Sequence, residues 1–274
     1  MSDSNPQSAI RNPQSPQWVF VHGAGGNGDF WELVRAQFPG AWCPDLPGHA
    51  NGRARRAGDA VPTAEAGRDS VTAYADWLMA AISAQDWPAV VLVGHSMGGA
   101  IAQTVALRRP AWLQGLVLSG TGARLRVAPE LPALIEHDPA AAVDWVLDHG
   151  FATPPSAYRR AGVRRQLLRV PAAVTLGDYA ACNGFDVMAE VTAGGITGPT
   201  VVLCGDADAM TPPKYSAWLA AHIAGAALGS VPDAGHLAPV EQPAAWTATV
   251  QRLRAGLTES GSGPSLAKAA TAPA

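Results

Sequence analysis

The chain has 274 residues, 48% of them hydrophobic and 15% charged, with a formal net charge of −3. There is ample apolar material for one large core, and nothing in such a charge balance points to a nucleic-acid partner. The three cysteines, Cys43, Cys182 and Cys204, are odd in number and far apart, so they read as free thiols of a reducing, cytoplasmic setting rather than a disulfide framework or a metal site.

Residues 1–16 are polar and proline-rich, with no apolar signal segment, and are expected to be disordered. Trp18–Val21 reads as the first strand, running into the glycine-rich loop His22-Gly23-Ala24-Gly25-Gly26-Asn27-Gly28. Asp29 is placed to cap a short helix through Phe38, and Ala41–Cys43 reads as a brief strand. A basic loop follows (Arg53, Arg55, Arg56) and is expected to be mobile. Val71, Tyr74, Ala75, Leu78 and Ile82 recur at spacings of three and four, the mark of an amphipathic helix over 69–84.

Val90–Val93 is an apolar, largely β-branched run suited to a buried parallel strand. It leads into Gly94-His95-Ser96-Met97-Gly98 and a helix-compatible stretch, Ala100–Leu107. A strand, a tight turn flanked by glycines and a helix together would force a strained backbone at Ser96. Its Oγ would stand clear at a helix N-terminus, the arrangement of a nucleophile elbow. Gly115–Ser119 is another buried strand. Residues 124–190 then carry helical patterns and no strand signal, and are expected to form a helical insertion over the carboxyl ends of the strands. Strands resume at Val201–Cys204 and Ala227–Val231, with a helix over 213–223 between them. The last helix gathers Trp246, Val250, Leu253 and Leu257 on one face. Residues 258–274 read as a loose tail. No uninterrupted apolar run reaches the length of a membrane span.

A serine hydroxyl needs a base to take its proton, and the base needs a third group to hold its tautomer. After the elbow, acid and histidine are therefore sought on loops that follow later strands. Gly205-Asp206-Ala207-Asp208 and Pro232-Asp233-Ala234-Gly235-His236 stand at those places. Asp206 and Asp208 lie on one turn, and periodicity does not choose between them.

Over residues 18–257 the chain resembles the α/β-hydrolases that carry a lid. Five blocks in order carry the resemblance: HGAGG at 22–26, DLPGHANG at 45–52, GHSMGG at 94–99, GDADAMTP at 205–212 and AGHLAPVEQP at 234–243. It implies a mostly parallel sheet of about six strands, lacking the usual N-terminal hairpin because only residues 1–17 precede the first strand. The core would comprise residues 17–123 and 191–257, with a lid at 124–190. By the same resemblance Ser96, Asp208 and His236 would be catalytic, and the backbone N–H groups of Ala24 and Met97 would form the oxyanion hole. His95, Arg124, Trp145, Phe151 and Tyr179 are candidates for substrate contact, with Arg126, Tyr158 and Phe185 beside them. Asp45 is expected as a structural acceptor, and Glu241 as a tie between the histidine loop and the last helix.

The implied function is hydrolysis of an ester, thioester or lactone with no cofactor and no metal. The partner would be a small acyl substrate, and the protein a monomer or homodimer. The same scaffold also serves perhydrolases, carbon–carbon bond hydrolases, lyases and small-molecule receptors.

Overall fold

The computed structural model describes residues 15–49 and 70–260. Five strands, β1 (Gln17–Val21), β2 (Val90–His95), β3 (Leu113–Ser119), β4 (Thr200–Gly205) and β5 (Ala227–Val231), lie side by side in chain order. Every neighbouring pair is parallel. The brief strand expected at Ala41–Cys43 shrinks to one bridge, in which Trp42 donates to the Trp18 carbonyl at 2.9 Å and accepts from Phe20 N–H at 2.8 Å. Gly40 turns with φ +76° just before it, and Pro44 has no N–H to extend the ladder. The described sheet therefore has five strands, not six.

Because side chains alternate across a strand, each strand feeds two cores. Val19, Val21, Val90, Leu92, Leu116, Leu118 and Val202 face one side. There they meet α2 (Val71–Ser83), which Ser70 caps by accepting from Ala73 N–H at 3.1 Å, and α3 (Met97–Leu107). Phe20, Val91, Val93, Val117, Val201 and Leu203 face the other side, against Trp31, Trp246 and Val250. The face of the last helix read from the sequence is thus the buried one at Trp246 and Val250.

The first helical turn differs from expectation. Asn27, not Asp29, caps it: its side chain accepts from Asp29 N–H at 3.0 Å and opens a 3₁₀ turn, Gly28–Trp31, followed by α1 (Glu32–Arg35). Asp29 instead pairs with Arg169 at 2.9 Å. Between β3 and β4 come α4 (Leu131–His137), α5 (Pro139–Gly150), α6 (Ala157–Leu167), α7 (Ala172–Gly184) and α8 (Met188–Thr192). The only extended pairing described there is an isolated bridge between Arg124 and Asp186. α9 (Pro213–His222), α10 (Ala238–Glu241) and α11 (Pro243–Ser260) complete the chain. Residues 1–14, the segment with Arg53, Arg55 and Arg56, and residues 261–274 lie outside the described residues.

Candidate active site

Ser96 stands where β2 gives way to α3, with φ 53° and ψ −119°, a backbone conformation that costs energy for any side chain. The turn exists because the chain approaches itself closely on both sides. A Cβ on Gly94 would lie 2.2 Å from the Gly98 carbonyl oxygen, and one on Gly98 would lie 2.2 Å from that of Val21. The strained residue is pinned at both ends: Ser96 N–H donates to the Ser119 carbonyl at 3.0 Å, and Thr121 Oγ1 donates to the Ser96 carbonyl at 2.8 Å. The next residue, Met97, opens α3, where backbone N–H groups have no acceptor within their own helix.

The turns after β4 and β5 bring Asp208 and His236 together. His236 Nδ1 donates to Asp208 Oδ2 at 3.0 Å, and both side chains are buried. The carboxylate also receives Thr211 Oγ1 at 2.8 Å on Oδ2, and the N–H groups of Thr211 (2.8 Å) and Met210 (3.0 Å) on Oδ1. Burial alone would raise the Asp208 pKa. The His236 charge and these hydrogen bonds outweigh it and hold the carboxyl below its ordinary value. Asp206, two residues earlier, is exposed. Thr211 was not foreseen, although its place three residues after Asp208 is the spacing of a side chain that closes a turn.

The loop after β1 is held at several points. His22 Nδ1 donates to the Gly23 carbonyl at 2.9 Å, while its Nε2 accepts from Leu46 N–H at 3.1 Å. Gly25 N–H goes to Asp178, Gly26 N–H to the Gly23 carbonyl, and Gly28 N–H to Asp45, the last at 2.9 Å. Ala24 lines the cavity that holds Ser96, and among the described residues its N–H meets no protein acceptor. Asp45 is therefore the structural acceptor expected of it. Glu241 ties the histidine loop to a partner other than the expected last helix: its carboxylate accepts Gly235 N–H and Ala152 N–H, each at 2.8 Å, and so joins the loop to the segment just after α5.

Ser96 and His236 open into one cavity of about 260 Å³. Leu131, Trp145, Val163 and Tyr179, from α4 to α7, form one wall. His95 also borders it. Its Nε2 donates to the His236 backbone carbonyl at 2.8 Å, and burial, then the neighbouring His236, drives its pKa down to about 3, so the ring is neutral. Two of the expected contacts lie elsewhere. Arg124 donates to Asp186 at 2.6 Å and borders a separate cavity, whereas Arg126 reaches the Ser96 cavity. Phe151 is packed with Leu147, Val163, Leu237 and Val240, because the β-conformation that ends α5 turns it into the core. Tyr158 is 86% exposed, and Phe185 belongs to the main core.

A parallel sheet with a strained serine after its second strand, and a buried Asp–His pair on the last two turns, defines the α/β-hydrolase architecture. The profile of the alpha/beta hydrolase family matches residues 18–250, and the chain belongs to that family. It is 28% identical to a pimeloyl-[acyl-carrier protein] methyl ester esterase of Neisseria meningitidis serogroup C over 235 residues, 79% of this chain and 84% of that one. A 2-succinyl-6-hydroxy-2,4-cyclohexadiene-1-carboxylate synthase of Enterobacter sp. (strain 638) is 36% identical over 137 residues, about half of each chain (49% and 48%). Among solved structures, a thermophilic esterase superposes with a TM-score of 0.74 at 30% identity, covering 89% of this chain and 91% of that one.

Proposed function

We propose that the protein is a serine hydrolase of small or medium carboxylic esters, thioesters or lactones, with Ser96 as nucleophile, His236 as base and Asp208 as the acid that orients it. The observation that carries this reading is the buried Asp208–His236 pair opening into the same cavity as the strained Ser96. With Nδ1–H committed to Asp208, His236 presents Nε2 as the basic atom. It takes the Ser96 proton as Oγ attacks the acyl carbon. The tetrahedral oxyanion is met by Met97 N–H and Ala24 N–H. His236 then hands its proton to the departing alcohol, thiol or lactone oxygen, leaving an acyl-serine. Water repeats the sequence, releasing the acid and restoring Ser96. The helical block α4–α8 acts as a lid whose apolar wall selects the acyl group, and the cavity volume favours a small molecule over a polymer. The relatives named as esterases support ester cleavage.

The test is turnover of p-nitrophenyl esters of graded chain length, and of lactones, by the wild type and by Ser96→Ala. The variant should stay folded and lose on the order of 10⁶-fold in kcat, as removal of a serine nucleophile does. Wild-type turnover by purified Ser96→Ala, or phosphonate labelling at another serine, would show the nucleophile to be misassigned.

A further inference from the structure

α7 carries Thr175, Asp178, Tyr179 and Cys182, spaced by three, four and seven residues and so on one face. Tyr179 and Cys182 border the Ser96 cavity, and Thr175 packs on Gly25: a Cβ built there would come within 3.0 Å of Thr175 Cγ2. Asp178 is fully buried and gathers three donors. Gly25 N–H and His49 Nε2 reach Oδ2 at 2.8 and 2.7 Å, and the Tyr74 hydroxyl reaches Oδ1 at 2.6 Å. The other nitrogen of His49 faces the Pro47 carbonyl at 3.1 Å. With acceptors on both sides each ring nitrogen is placed to donate, and when the ring carries both protons Asp178 is paired with a buried cation.

A buried ion pair is costly to desolvate and is poor evidence of stability in itself, so what it holds in place is the better guide to its use. Asp178 does not border the Ser96 cavity. Its effect there passes through Gly25, 153 positions away in sequence and next to Ala24.

We infer that Asp178 is a positioning residue for the oxyanion loop. By fixing the Gly25 peptide from the helical block, it sets where Ala24 N–H stands relative to Ser96. Tyr74 and His49 in turn fix the carboxylate, so the block and the oxyanion loop move as one unit. This inference rests on the serine hydrolase reading. A misplacement of about 1 Å in such a donor is enough to cost on the order of 10²-fold in rate.

The experiment compares Asp178→Asn and Tyr74→Phe with the wild type. Rates are normalised to sites titrated with a fluorescent phosphonate, so that loss of folded protein does not count. An amide at 178 turns an NH₂ group toward either Tyr74 or the Gly25 and His49 donors. Its kcat per titrated site should fall about 10- to 100-fold with KM changed less than about threefold. Affinity for a boronic acid that mimics the tetrahedral species should fall in parallel. Tyr74→Phe, which keeps the charge and removes one bond, should show a smaller loss of the same kind, and answers the question if Asp178→Asn does not fold. A lowered Tm with unchanged kcat per titrated site overturns the inference, as does a rise in KM alone. Ser96→Ala run alongside separates the two levels. If it is inactive while the Asp178 and Tyr74 variants turn over normally, only the positioning role is wrong. If it turns over ester, the hydrolase reading fails and this inference fails with it.

Discussion

Single side chains divide the labour sharply at the turn after β4. Asp206 and Asp208 are two residues apart, yet one is exposed and the other is buried against His236. In the proposed mechanism an amide at position 208 would leave His236 in the wrong tautomer, a change that costs about 10⁴-fold in kcat in a serine protease. Asp208→Asn should therefore lower kcat by orders of magnitude with little change in KM. Asp206→Asn should stay within a few-fold of wild type on the same ester, since its side chain meets solvent. An inactive Asp206→Asn beside an active Asp208→Asn would reverse the assignment. Thr211 shares the acid's Oδ2 with His236, so its hydroxyl helps fix the rotamer that makes this pairing.

At the scale of elements, α4 to α7 contribute the wall facing Ser96, and a second cavity of about 230 Å³ lies on the other side of part of that wall. Ala24, Leu131, Val146, Leu167 and Tyr179 border both and so stand between them. Val146 lies on α5, away from Ser96, Asp208 and His236. Val146→Phe should fill space on the Ser96 side of this boundary and shift the preferred p-nitrophenyl ester toward shorter acyl chains. The rate of Ser96 labelling by a small phosphonate should stay within about threefold, since the elbow is untouched. A chain-length profile identical to wild type would show that acyl groups do not pass this point. The helical block is also anchored beyond its apolar wall, through Asp178 to Gly25 and through Ala152 to Glu241.

For the whole molecule, three buried histidines set a stability profile with two limbs. Burial, followed by the nearby charges of His49 and His236 respectively, lowers His22 and His95 from 6.5 to about 3. The unfolded chain therefore binds two more protons across that window, and stability falls as pH drops from about 6.5 toward 3. His49 has the opposite sign. Burial alone would lower its pKa, but the hydrogen bond and charge of Asp178 outweigh burial and raise it. Its contribution is full below 6.5 and is lost as pH rises through the folded value. His22, Tyr74 and Asp178 are the titratable groups around that ring. Thermal melts across this range should give a maximum near neutrality, with a steeper acid limb because two groups drive it. His95→Gln should flatten the acid limb and Asp178→Asn the alkaline one. Limbs unchanged by these substitutions would mean that other groups control the profile.

Much of this was legible along the chain because it depends on local physics. Short apolar stretches marked all five strands, most plainly the largely β-branched Val90–Val93, and the glycines around Ser96 announced a turn too tight for any side chain. Blocks of loop sequence in the right order put Asp208 and His236 on the turns after β4 and β5. The bridge at Trp42 was over-read as a strand, since three apolar residues look alike whether or not a proline cuts the ladder after them. Arg124 and Phe151 were misplaced for a different reason: which way a side chain points at the end of a helix or strand depends on partners far away. Asp178 carried no signal at all, being one acid in an alanine-rich helix whose partners Gly25, His49 and Tyr74 are each more than 100 positions distant. The sequence by itself determined the strands, the elbow and the family, because close backbone approach and burial leave their mark residue by residue. The resemblance pointed to Asp208, but only the tertiary structure decided what surrounds the Asp208–His236 pair and that Asp178 holds Gly25, because both depend on contacts between segments that the chain brings together only when it folds.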